Sequence, residues 1–283
     1  MSGGGTSALA RAVADWQPEL VEVSRRVDPW PSAAFAALLD VADPTPGGQL
    51  PPLWHWFTLL DHPAQSALGD DGHPTEGAFL PPIPDRRRMW AGGRFEQRAP
   101  IEYGANLSSR ARVSEVAVKS GRSGELAFVT VRSELTVDGR QVAVEEQDIV
   151  YRSGDPGRTS NRPAADEPAG DWTLEVATDP VLLARFSALT YNGHRIHYDR
   201  PYATEVEGYP DLVVHGPLMA LLALELPRRN APDRRVGRFS YRILRPMFVP
   251  TRIVAVGIPS ENRVEVAVGT GPSLTATVEL ETG

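Results

Sequence analysis

The chain has 283 residues, 41% hydrophobic and 23% charged, which is enough for one large globular domain or two of ordinary size with a real core. A formal net charge of −7 argues against general nucleic-acid binding, which needs a basic surface to neutralise phosphates. The absence of cysteine removes disulfides, thiolate nucleophiles and Cys-type zinc or iron–sulfur sites together.

The amino terminus lacks a basic segment followed by an apolar signal core, and no run of about 18 apolar residues suggests a membrane span. A cytoplasmic protein is expected. Residues 8–23 are predicted as a helix, with Leu9, Val13, Trp16 and Leu20 near one face. Residues 29–42 suggest a second, short helix. The apolar run at 50–61, LPPLWHWFTLLD, fits a strand or a buried helix equally well. Residues 62–98 read as a long Pro- and Gly-rich loop containing Arg86-Arg87-Arg88-Met89-Trp90-Ala91-Gly92-Gly93. That segment is either an ordered lid or ligand wall, or a solvated Arg run beside a packed Trp.

From residue 101 the pattern turns to strands at 107–119, 126–137 and 141–152, with Asp138-Gly139 as a hairpin signal. The Pro-, Gly- and Ala-dense stretch after residue 153 marks a linker, placed at 156–170, between units at 1–155 and 171–283. In the second unit a polar loop and a buried helix span roughly residues 180–228, and strands follow at 237–244, 252–259, 263–268 and 274–280. Helical material precedes a meander in both halves, so an internal duplication is plausible.

The stretch 186–226 holds three of the six histidines, His194, His197 and His215, and ends in an apolar run opened by His215-Gly216-Pro217. Proline suits the first turn of a helix, so the N–H groups around Gly216 should project at a helix N-terminus. Such a terminus favours an anion, or an oxygen that becomes one.

The segments FSALTYNGHRIHYDRPYA and EGYPDLVVHGPL resemble the MaoC-like hydratases, and more closely the hydroxyacyl-thioester dehydratase type 2 group, which includes mesaconyl-CoA hydratases. Further matches are the RMWAGG segment at 88–93, KSGRSG at 119–124 and EEQDIVYR at 145–152. The resemblance implies an α+β double hot-dog fold, two antiparallel sheets each wrapping a central helix. It also implies a degenerate N-terminal repeat shaping the acyl pocket and a C-terminal repeat carrying the chemistry. Simpler members carry Asp-x-Asn-Pro-x-His; aligning its final histidine on His197 puts Asn192 at the Asp and His194 at the Asn. An amide cannot take up a proton as a carboxylate does, so the base must be a histidine.

The implied reaction is reversible hydration of an enoyl thioester of CoA or acyl-carrier protein, by a homodimer and without cofactor or metal. Histidine suits the acid/base work and the Gly216 N–H suits the developing oxyanion. The assignment is His197 as principal acid/base, Asn192 holding water or hydroxyl, His194 assisting, and Asp199 a candidate partner fixing an imidazole tautomer. Arg195, Trp90, Gly92, Gly93, Arg88, Tyr191 and His215 are candidate substrate contacts, and Arg86, Arg87, Arg88, Arg228 and Arg229 candidate phosphate contacts. Duller roles stand beside these: Asn192 as a turn residue before Gly193, His215 as a helix cap, Arg195 in a structural ion pair. Competing functions are a hot-dog thioesterase, a metal site on His194, His197, Asp199 and His215, or a non-catalytic thioester-binding subunit of a partner.

Overall fold

In the computed structural model, which describes residues 8–83, 86–121, 124–153, 169–269 and 271–282, the strands form one antiparallel ten-stranded sheet. Its strands are β1 (Val21–Arg26), β2 (Arg86–Gln97), β3 (Asn106–Gly121), β4 (Gly124–Val137), β5 (Arg140–Ser153), β6 (Trp172–Thr178), β7 (Arg234–Ile243), β8 (Thr251–Pro259), β9 (Arg263–Val268) and β10 (Leu274–Thr282). The order across the sheet is β1-β3-β4-β5-β2-β7-β10-β9-β8-β6. Read inward from either edge, the two halves have the same topology, with β6 to β10 repeating β1 to β5. This is the duplication that the sequence only suggested.

The two hot-dog halves, expected as two sheets, are fused edge to edge where β2 pairs with β7 from Gly92↔Arg242 to Glu96↔Arg238. Residues 86–97 are therefore the strand at the seam and not part of a loop. Two glycines make the seam possible. A Cβ on Gly92 would lie 2.4 Å from the Tyr241 carbonyl oxygen, and one on Gly93 2.6 Å from that of Glu146. The linker placed at 156–170 falls almost wholly outside the described residues.

Each half also opens alike. β1 leads through Asp28-Pro29 into α2 (Pro29–Leu38), and β6 through Asp179-Pro180 into α3 (Pro180–Leu189). Both aspartates cap their helices, Asp28 accepting from the Trp30 N–H and Asp179 from the Leu182 N–H, each at 2.7 Å. The helix expected over 8–23 is only α1 (Ala8–Ala14), and Val21 onward is edge strand β1. Leu9 and Val13 of α1 pack with Ile83 on Val129 and Val131 of β4 and Ile149 of β5, as a second, smaller core.

The halves differ in what the sheet wraps. In the second it packs on α4 (Gly216–Asn230), whose residues from Leu218 to Pro227 are all buried, as an apolar run interrupted only by Glu225 requires. In the first, the run at 50–61 makes only a single turn, Trp54–Phe57. Buried His55 holds that turn through a 2.7 Å contact with Glu145, which also accepts from the Trp56 indole at 2.8 Å. Burial opposes a charged Glu145, but His55, Gln147 and Trp56 outweigh it and hold its pKa below the usual carboxylate value. Beyond this turn the chain is free to cross to the other repeat.

Candidate active site

The site is built between the end of α3 and the start of α4. Tyr191 leaves α3 with φ +50°, and the Asn192 side-chain oxygen accepts the His194 N–H at 3.0 Å, closing a local turn. Asn192 thus takes the turn role, which leaves its amide nitrogen and the second lone pair of its oxygen for other partners. A single turn, Arg195–His197, then buries His197. Its Nδ1 lies 2.7 Å from the Val213 carbonyl oxygen, which can only accept. Nδ1 therefore carries the proton, and Nε2 of the neutral ring keeps its lone pair.

Asp199, the predicted tautomer-fixing partner, does something else. It accepts from Arg195 Nε and Nη2 at 3.0 and 2.7 Å and from the Tyr202 N–H at 3.1 Å. Arg195 also donates to the Asp70 carbonyl at 2.9 Å and lies over the Tyr202 ring. Its role is the structural ion pair. The proposed metal set loses Asp199 for the same reason.

His215 sits at the N-cap of α4 but makes no capping hydrogen bond with its side chain. Its ring stacks on His197, centroids 3.6 Å apart, and its Nε2 lies 2.8 Å from Ser187 Oγ. Stacking places His197 directly beside the residue that opens the helix. A Cβ on Gly216 would lie 2.6 Å from Ile243 Cδ1, so a larger residue there would require that side-chain tip to shift. Trp90 closes the wall nearby, with its indole donating to Tyr241 Oη at 2.8 Å and its ring set edge-on to Trp56. Gly92 and Gly93 serve strand contact in this neighbourhood, Tyr191 is 61% exposed on the rim, and Arg87 is paired with Glu207. Arg228, at the far end of α4, is tied to buried Glu225 at 2.6 Å, while exposed Arg229 also lies at that far end. The Arg86 side chain lies outside the described residues.

The first repeat supplies a cover. Residues 69–73 lie across this loop, with Gly72 against Gly193 so closely that a Cβ on Gly72 would sit 1.9 Å from the Gly193 oxygen. The Arg195 N–H donates to the Asp71 carbonyl at 2.9 Å. This contact brings in His73, whose ring lies 4.0 Å from that of His194, itself 5.4 Å from that of His197. Ligand atoms of Asp71, His73 and His194 lie within 4.8 Å of one another, a spacing a divalent ion could bridge.

Burial makes three of these imidazoles, His194, His197 and His215, harder to charge. Desolvation, and then the charges of His73, His197 and Arg88, drive His194 far below its ordinary value. Burial pushes His197 down to about 4 despite the Val213 hydrogen bond. Burial, then His197 and His194, hold His215 well below 6.5. Near pH 7 these three rings are neutral bases.

The family model of hydroxyacyl-thioester dehydratase type 2 matches residues 53–249. The chain belongs to this family. It is a hydro-lyase of acyl thioesters. It is 48% identical over 246 residues to a mesaconyl-C(4)-CoA hydratase of Chloroflexus aurantiacus, covering 84% of this chain and 86% of the relative. A mitochondrial hydroxyacyl-thioester dehydratase type 2 of Schizosaccharomyces pombe is 26% identical over 72% of this chain and 77% of its own. The fold matches a MaoC-like dehydratase from Phytophthora capsici with TM-score 0.67 at 12% identity, covering 97% of this chain and 99% of that one. Among the described residues no helix is long and apolar enough to cross a membrane.

Within this dehydratase family member, Asp71, His73, Ser187 and the Val213 carbonyl were not found by sequence reasoning. His73 stands in another repeat, more than a hundred positions before His197, and a backbone carbonyl has no residue signature. Asp71-Gly72-His73 opposite Asn192-Gly193-His194 is the one trace: two turns of similar make-up.

Proposed function

We propose that this chain adds water to an enoyl-CoA whose β carbon bears a carboxylate, mesaconyl-C(4)-CoA being the type, with His197 as the principal acid/base. The observation that carries this is the His197 ring: Nδ1 is committed to Val213, Nε2 is free, and His215 stacks it beside Gly216 at the mouth of α4. His197 Nε2 takes a proton from water as the water oxygen bonds the β carbon. The C=C electrons move toward the thioester, and the Gly216 N–H, with the positive end of α4 behind it, meets the enolate oxygen. Dehydration is the same path reversed.

The substrate for which the Chloroflexus relative is named supports the carboxylate. In a C4 thioester of mesaconate, the β carbon carries both the methyl group and the free carboxylate, so that charge lies one bond from the carbon that receives water. Arg87 is neutralised by Glu207 and Arg195 by Asp199. Arg88, whose charge acts on His194, has no carboxylate partner among the described residues, which suits it to that carboxylate.

The test is loss of enoyl-thioester absorbance, with free thiol assayed in parallel, for mesaconyl-CoA and crotonyl-CoA. Hydration without thiol release is expected. His197→Ala should lower kcat by roughly 10²–10⁴-fold, and Arg88→Gln should impair mesaconyl-CoA more than crotonyl-CoA. Thiol release would make the protein a thioesterase, and full activity in His197→Ala would remove the assigned base.

A further inference from the structure

Hydration moves two protons, one from water at the β carbon and one onto the α carbon. His197 accounts for the first. The expected carboxylate partner is absent, because Asn192 stands there with its oxygen tied to the His194 N–H. We infer that the Asp71–His73 pair, delivered by the first repeat, is the second acid/base group of the reaction. The inference rests on the hydration reading above.

Three observations carry it. Asp71 holds His73 twice: one carboxylate oxygen accepts the His73 backbone N–H at 2.9 Å and the other lies 3.1 Å from Nδ1. That grip fixes the ring and leaves Nε2 as the atom for proton exchange. The loop is set by contacts with the catalytic loop, not by a core of its own: Gly72 on Gly193, the Asp71 carbonyl on the Arg195 N–H, and the Asp70 carbonyl on the Arg195 guanidinium. Finally, His73, His194, His197 and His215 form one row of rings, with centroids 4.0, 5.4 and 3.6 Å apart. The His73 side chain is 22% exposed, so this end of the row is open to solvent while the other is buried.

His73 Nε2, with Asp71 held on Nδ1, gives a proton to the α carbon while His197 Nε2 takes one from water. One water O–H bond and the C=C π bond break; one C–O bond and one C–H bond form. The proton now on His197 leaves to solvent as the product departs, and His73, at the solvent-exposed end of the row, takes one up. Both groups are then as they began. His73 is a catalytic residue in this scheme, and Asp71 positions it.

The test compares wild type with His73→Gln, His73→Ala and Asp71→Asn on mesaconyl-CoA, each checked by thermal melting. The loop lies outside the core, and the melts should stay near wild type. For His73→Gln and His73→Ala, kcat should fall by about 100-fold or more with KM changed by less than about threefold, the pattern of an interaction made in the transition state. Added imidazole should restore part of the turnover of His73→Ala. Asp71→Asn should lose about tenfold in kcat, and Asp71→Glu should recover some of it. An active wild type whose His73→Gln variant keeps full kcat overturns the inference and leaves the hydration reading standing. So does a loss confined to KM without imidazole rescue, which would make the loop a clamp. Activity abolished by chelator and restored by zinc also overturns it, since Asp71, His73 and His194 would then hold an ion. A wild type that hydrates no enoyl thioester overturns both.

Discussion

The imidazoles of His197 and His215 lie face to face, 3.6 Å between centroids and 17° from parallel, with Ser187 Oγ 2.8 Å from the outer ring. Each ring comes from a different segment. His197 belongs to the turn after α3, and His215 is the residue before α4. The contact therefore sets the distance from the His197 ring to the mouth of α4.

That contact can be tested by shape. His215→Ala removes the backing plane and lets His197 move, and a misplacement of about 1 Å can cost roughly 100-fold in rate. His215→Phe keeps an aromatic face and should retain more activity than alanine, although it leaves Ser187 without its partner. Steady-state kinetics on both variants decide the point. Equal losses would mean that His215 acts through its nitrogens.

The oxyanion assignment gives a paired prediction. Gly216→Ala drives a methyl into Ile243 Cδ1, which would lie 2.6 Å away. Oxyanion-donor losses run near 10²–10³-fold, and a displaced Gly216 N–H should give a kcat loss of about that size. Because the obstructing atom is the end of a side chain, Ile243→Ala should restore part of it. A double-mutant cycle measures the coupling. Strict additivity would show that the loss does not arise at Ile243.

Stability should depend on acid in a defined window. His197 is neutral and buried with its pKa pushed down to about 4, whereas the unfolded ring titrates near 6.5. Between these values the unfolded chain binds more protons, so stability is full above about 6.5 and falls as pH drops toward about 4. The separation corresponds to about 3 kcal/mol for this ring alone, and His194 and His215, shifted the same way, add to it. Urea midpoints should be level from pH 7.5 to about 6.5 and then fall toward pH 4.5 in the wild type, less steeply in His197→Gln. A flat wild-type profile would contradict the buried neutral histidines.

Much of the sheet was legible because alternation is a local property. β3, β4, β5 and β7 to β10 all fell within a few residues of their expected places, and Asp138-Gly139 turns with both φ positive, as that pair favours. β2 was not legible. Arg86 to Gln97 lies between two neighbouring strands and carries glycines where their backbones approach, so it reads as loop. β1 was absorbed into a helix because an edge strand with a polar outer face shows little pattern. His194, His197, His215 and Gly216 could be picked out because they share one stretch of chain. Asp199 and Arg195 were read singly, and only the fold shows that they satisfy each other.

The identical strand order of the halves has a consequence for stoichiometry. Two equal repeats joined across a central seam would present two equivalent reaction centres. Here the first repeat makes only the turn Trp54–Phe57 and sends the following chain over its twin, so the chain has one proposed centre, completed by both repeats. A slowly dissociating analogue of the enolate should therefore titrate to one equivalent per polypeptide, and separately produced halves should recover activity only when mixed one to one.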